Sequence, residues 1–282
     1  MGNITCIERH INPNLACYRD SDLRICVSLR QYAFKIGVSQ QHSRLPLALV
    51  EYDFSNAGLP YRECLRQIVE QEALLDPDFN YGQQTFTVPD AKSTLIPACF
   101  YEAQHAKDYI SAIYPLTGKE CISQEQEPYT RSCILTAFNP ILLDAARQVF
   151  PQKKKLGFLS TYACLIRELF RLARSFRRFP VIAMLHTQER SFNLCVKNED
   201  GLLYINTFPF QDEKGLLYYT LYALNKLKLD LGSIALFLCG SAADIDLQQI
   251  LETHINTTLY LPAASKVPAP KEIPYSKHFT CL

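Results

Sequence analysis

The chain has 282 residues, 48% of them hydrophobic and 20% charged, with a formal net charge of +1. That length and balance fit one large globular domain or two of ordinary size, and they exclude a disordered or fibrous chain. The near-neutral charge excludes a global attraction to nucleic acid or acidic lipid, so an electrostatic partner needs a local patch.

Residues 1–20 are polar and irregular and read as a loose arm. Met1–Cys6 lacks a basic segment followed by an apolar core, so no secretion signal is expected. Leu23–Leu29 and Tyr32–Val38 alternate at period two across the short break Arg30-Gln31, which predicts a tight hairpin. A third strand spans Leu47–Phe54. A helix starts near Pro60 and carries Leu65, Ile68, Val69 and Ala73 on one face. Short strands follow near Thr85–Val88 and Thr94–Ile96, then a helix over Tyr101–Ile113. The polar stretch Gly118–Tyr129 reads as a mobile loop. Arg131–Phe138 is a strand, Pro140–Phe150 a helix, and Lys155–Leu159 a strand leading into a helix over 160–176.

From Pro180 the hairpin pattern restarts. Val181–Leu185, Ser191–Lys197 and Leu202–Phe208 alternate, the last pair joined across Glu199-Asp200-Gly201, whose Asp-Gly suits a hairpin. A helix runs from Asp212 to Leu229. The apolar strand Ile234–Cys239, a helix over Ala243–His254 and a strand at Thr257–Leu261 complete the pattern. Residues 263–282 are proline-rich and read as a surface or disordered tail. Three strands followed by helix, strand, helix and strand occur twice, so the fold class is α/β, a ribonuclease-H-like half used twice, with lobes at 21–130 and 131–262.

The eleven cysteines form no CxxC pair, are odd in number and sit mostly in apolar runs. They read as buried hydrophobes in a reducing, cytoplasmic setting rather than as a disulfide scaffold. The six histidines have no metal-ligand spacing, so no metal site is expected. No run approaches ~18 uninterrupted apolar residues, so no membrane span is expected.

The sharpest charge feature lies between Lys153 and Arg178, with eight Lys and Arg against the single Glu168. Arg167, Arg171, Arg174 and Arg178 fall on one helical face, opposite Leu165, Leu169, Leu172 and Phe176. Two readings stand: a polyanion-binding ridge for RNA, or a solvated helix face whose arginines complement the dipole. On either reading, neutralising Arg171, Arg174 and Arg178 is expected to change stability little. Tyr218, Tyr219 and Tyr222 either dock a partner or pack their own helix.

From Arg131 to Leu261 the element order is similar to the second half of actin-like proteins such as the pilus-assembly protein PilM and the division protein FtsA. Almost the whole chain resembles a family found in Bacteroidetes and catalogued as a domain of unknown function, number thirty-eight twenty-two. The likeness rests on Asn206-Thr207-Phe208, Asp212, Tyr218-Tyr219, Leu236–Gly240 and Phe86–Pro97. It implies duplicated ribonuclease-H-like subdomains in an actin-like (ASKHA-type) arrangement, and no activity. Active members of that superfamily hold Mg²⁺ with carboxylates near the nucleotide phosphates and admit the phosphates beside glycines. Here Ser28 and His186 stand for the two strand-end Asp residues, Ser160 for the acidic residue that opens the connecting helix, and Gly240 alone for a Gly-Gly pair.

The expectation is therefore a non-catalytic binding or scaffold protein with a degenerate nucleotide site, no required cofactor and a protein partner. The alternatives are a nucleotide-binding regulator or ATPase using unconventional groups such as His186, and an RNA-associated factor working through 153–178. His186 itself reads as a general base or anion contact, or as a hydrogen-bonded strand-end histidine. Gly240 reads as a ligand crevice or as a turn into the next helix.

Overall fold

A computed structural model describes residues 4–41, 46–76, 79–89, 91–149, 157–188, 190–240 and 245–260. The chain divides into two compact units. Of the described residues, the first takes those up to Gln126 and Ser132–Thr161, and the second takes Glu127–Arg131 and those from Tyr162 to Tyr260.

The first unit holds β1 (Thr5–Ile11), β2 (Leu23–Leu29), β3 (Ala33–Gln40), β4 (Pro46–Asp53), helix α1 (Tyr61–Gln71) and β5 (Gln83–Thr87). Next come β6 (Lys92–Pro97), α2 (Ala106–Ser111), β7 (Cys121–Glu127), β8 (Ser132–Phe138), α3 (Pro140–Val149) and β9 (Gly157–Phe158). Its main sheet has the order β1-β4-β3-β2-β5-β9, with β5 parallel to β2 and the meander β2-β3-β4 antiparallel. Period-two alternation sends Ile25, Val27, Leu29, Phe34, Ile36 and Val38 to one face, where Cys64, Leu65 and Ile68 of α1 and Leu142, Leu143 and Ala146 of α3 cover them. A second sheet, β6-β8-β7, packs Cys133 and Leu135 against Ala106 and Ile110 of α2.

Helix α4 (Thr161–Ser175) leads into the second unit, which contains β10 (Val181–Thr187), β11 (Ser191–Lys197), β12 (Leu202–Pro209), α5 (Glu213–Lys226), β13 (Ile234–Gly240), α6 (Ile245–Glu252) and β14 (Thr257–Tyr260). Its sheet order is β12-β11-β10-β13-β14, with β13 and β14 parallel to β10. Leu216, Ala223 and Leu224 of α5 and Leu247 and Leu251 of α6 cover one face. Asp212 starts α5 as its cap, Oδ1 accepting the Gly215 N–H at 2.7 Å.

Strand for strand, β4-β3-β2-β5-β9 and β12-β11-β10-β13-β14 are the same topology. The duplication expected from the two hairpins is thus present in the sheets themselves. The first copy carries two additions, β1 on its edge and the β6–β8 segment between β5 and α3.

Four expectations are corrected. The expected loose arm contains β1, which pairs antiparallel with β4 from Thr5↔Asp53 to Ile11↔Ala48. The expected mobile loop contains β7, an edge strand in which Glu127 alone is buried, so no apolar alternation marks it. The helix expected over 101–113 is one short 3₁₀ turn, Ala103–His105, and a six-residue α2. The lobe boundary expected after residue 130 falls after Thr161, because Ser132–Phe138 pairs with β6 and α3 packs beside α1 in the first core. Among the described residues six cysteines are buried as expected, whereas Cys6, Cys17, Cys99 and Cys121 are exposed. The tail over 263–282 and Lys153, Lys154 and Lys155 lie outside the described residues.

Candidate functional site

In the second unit the site positions sit at the carboxyl ends of β10 and β13. The register places Thr207, Asn193, His186 and Cys239 side by side across four strands. Their side chains form a hydrogen-bonded chain. Thr207 Oγ1 donates to Asn193 Oδ1 at 2.7 Å, which turns the Asn193 amide nitrogen to His186 Nδ1 at 3.3 Å. With its proton committed to Asn193, Thr207 accepts from the hydroxyl of Tyr162 on α4 at 3.3 Å. The sequence of donors makes His186 Nδ1 an acceptor and leaves the ring proton on Nε2. His186 has no exposed surface. It is a buried side chain bonded to Asn193 within its own sheet.

One residue further on, Thr187 Oγ1 donates to the carbonyl of Cys239 at 3.2 Å. Gly240 has φ +106, and a Cβ built there would lie 2.0 Å from the Thr187 carbonyl oxygen. Close approach of two backbones therefore accounts for this glycine. Burial, with the charge of nearby Glu168, raises the Cys239 thiol well above its ordinary value; burial alone raises Cys195. Neither thiol is a ready nucleophile.

In the first unit Ser28 is buried at the end of β2. The register sets it opposite Lys35, and Lys35 opposite Glu51. Lys35 Nζ lies 3.0 Å from Glu51 Oε2, with both side chains largely buried. These three residues, with Arg30 and Ala33, line a shallow recess. The carboxylate in that recess is held by a lysine of the neighbouring strand.

Ser160 precedes α4, and its N–H and Oγ both donate to Glu125 Oε2 at 3.2 Å. A carboxylate thus stands at this helix start, where it complements the dipole, but β7 supplies it. Sequence reading missed Glu125 because the stretch around it reads as a loop. It missed Asn193 because a polar residue inside an apolar strand carries no motif. Among the described residues, no group of three or more His, Cys, Asp or Glu is placed to hold a metal ion.

The arginine row does not stand free, and α4 ends at Ser175, so Arg178 lies in the turn beyond the helix rather than on its face. Arg167 Nε donates to Glu127 Oε2 at 3.1 Å, and the side chain of Glu127, the last residue of β7, has no exposed surface. Arg171 Nε donates to both oxygens of the buried Glu168, at 2.8 and 2.9 Å. The Arg174 guanidinium lies 5.9 Å from the Tyr129 ring, and that of Arg178 lies 4.7 Å from the Phe179 ring. Two of the four, Arg167 and Arg171, pair with carboxylates within the unit.

Among curated proteins none matches the chain by sequence. Among the solved structures that resemble it in fold are two that cover most of this chain. One is a Bacteroides thetaiotaomicron protein with an actin-like ATPase fold and unknown function, at TM-score 0.73 and 16% identity over 93% of this chain and 97% of that one. The other is the PilM–PilN type IV pilus biogenesis complex, at TM-score 0.56 and 11% identity over 84% of this chain and 87% of that one. No described helix is long and apolar enough to cross a membrane. The family described as "Protein of unknown function (DUF3822)" matches residues 12–257, and the chain, with its actin-like fold of two ribonuclease-H-like halves, belongs to that family.

Proposed function

We propose that this protein is a non-catalytic binding or scaffold protein, an actin-like fold whose nucleotide site has become degenerate. The observation that carries the reading is the internal commitment of the strand-end groups. His186 is buried and bonded to Asn193, Gly240 is explained by the Thr187 backbone, and Glu51 beside Ser28 is paired with Lys35. A hard cation such as Mg²⁺ needs oxygen anions that are not already engaged. The likeness to a fold solved in a protein–protein complex supports a protein partner. The cysteine usage supports a reducing, cytoplasmic setting.

A nucleotide-binding regulator is the second reading, and Glu125 at the start of α4 is what favours it, since it returns a carboxylate to that position. Calorimetric titration of the full chain with Mg-ATP decides between the two. The expected result is no saturable heat and no phosphate release. Saturable binding, or phosphate release abolished by EDTA and by Glu125→Gln, overturns the proposal.

A further inference from the structure

Helix α5 buries Leu216, Thr220, Ala223 and Leu224 and turns its opposite side outward. Lys214, Tyr218, Tyr222 and Lys226 recur every fourth residue and share that side. Tyr218 is 61% exposed and Tyr222 48%, both large values for aromatic residues. Their rings stack at 6.0 Å, and Lys226 Nζ lies 5.4 Å from the Tyr222 ring centre.

These two rings are the outer end of an aromatic column. Tyr218 meets Tyr219 edge-on at 5.3 Å, Tyr219 stacks on Phe208 at 5.4 Å, and Phe208 stacks on the fully buried Phe192 at 5.3 Å. A tyrosine pair rooted in a core has little freedom left to lose, so it offers contact area at low entropic cost. Such rigid, half-wet aromatics are the residue type on which binding energy concentrates.

We propose that this stripe docks an acidic segment of a partner protein, whose carboxylates meet Lys214 and Lys226 while an apolar or aromatic side chain lies on the Tyr218–Tyr222 pair. Charge complementarity sets the sign. The stripe carries a cation at each end and no carboxylate, and Glu213 lies about 100° away around the helix. A basic segment would meet like charge at both ends. Two cations separated by ~18 Å along the helix suit a short peptide better than a nucleic acid, which requires a denser row of phosphate contacts. The surface gives the binding role proposed above a location. It uses none of the strand-end residues, so the nucleotide titration and the docking test fail independently.

Panning a phage-displayed random peptide library on the full chain, with counter-selection on the Tyr218→Ala/Tyr222→Ala double variant, tests the proposal. Enriched peptides should be acidic and carry an aromatic or leucine side chain. One of them, titrated by fluorescence anisotropy, should bind the double variant at least about tenfold more weakly. Binding should also weaken with added salt and with Lys214→Glu/Lys226→Glu, a variant that leaves the aromatic column intact and serves if the tyrosine variant fails to fold. Failure to enrich, enrichment of basic peptides, or equal binding to both variants overturns the proposal. So does tighter binding of oligouridine through the same residues, or a concentration-dependent dimer that the tyrosine variant abolishes.

Discussion

Arg9, on the edge strand β1, places Nη1 2.7 Å from Oε2 of Glu72, whose side chain has no exposed surface. The same carboxylate accepts the Tyr52 hydroxyl at 2.7 Å and the Leu74 N–H at 3.2 Å. One buried acid therefore joins β1, β4 and the segment that ends α1. Glu72 leaves helical angles at φ −94 and ψ 107 to do so, which is why α1 stops at Gln71.

A pH dependence follows from that carboxylate. Burial alone would raise its pKa, but the hydrogen bonds from Arg9, Tyr52 and Leu74 outweigh burial and hold it below the ordinary glutamate value of 4.5. A depressed folded-state pKa contributes stability that is complete above the unfolded value and is lost as pH falls through the folded one. Urea unfolding should therefore show Glu72→Gln less stable than wild type by about 1–3 kcal/mol at pH 7. The gap should narrow as pH falls below 4.5. A gap that stays constant from neutral to acid pH would show that Glu72 acts by shape alone.

The arginines of α4 should separate into two classes. Arg167→Gln leaves the buried Glu127 carboxylate with only the Tyr129 N–H among its named partners, and should cost about 1–3 kcal/mol. Arg174→Gln removes an exposed guanidinium from the Tyr129 ring, and should stay within about 0.5 kcal/mol. Thermal melting of the two variants compares them directly. Equal melting temperatures would show that the Arg167–Glu127 pair contributes no more to stability than the Arg174–Tyr129 contact.

His186 should hold one tautomer. Histidine ¹⁵N spectra at neutral pH should show Nδ1 unprotonated and Nε2 carrying the proton, because Asn193 donates to Nδ1. Asn193→Ala should release that preference and cost about 1–2 kcal/mol by removing the buried amide that bridges Thr207 and His186. A doubly protonated ring in the wild type would contradict the hydrogen-bond chain and reopen an anion-binding role.

Gly240→Ala should be among the most damaging single-methyl changes in the chain. The added carbon would sit 2.0 Å from a backbone oxygen that belongs to the neighbouring β10, so a strand must move. A loss of about 2 kcal/mol or more in urea unfolding is expected. Wild-type stability in this variant would show that the glycine is kept for a ligand instead.

The apolar runs in Leu23–Val38 and Val181–Val196, broken only by short polar turns, were enough to place both hairpins, and these strands are buried on both faces. The helices at α1 and α5 were legible from apolar spacing at period 3.6, and Asp212 marks the start of α5. The likeness to actin-like proteins was legible too, through the repeated order of these elements. Strands β1 and β7 were not legible, since both are exposed edge strands whose extended form depends on β4 and β8, far away in the chain.

The candidate positions Ser28, Ser160, His186 and Gly240 could be named from sequence, but their partners could not. Glu125 reaches Ser160, Asn193 turns to His186, and Glu127 holds Arg167 only because strand register and helix packing bring residues 7 to 40 positions apart into hydrogen-bond range. Local propensity determined which segments are strands and helices. Tertiary contact decided which polar side chains are already committed, because the energy of burying a charge or an amide depends on neighbours that the sequence does not place beside it.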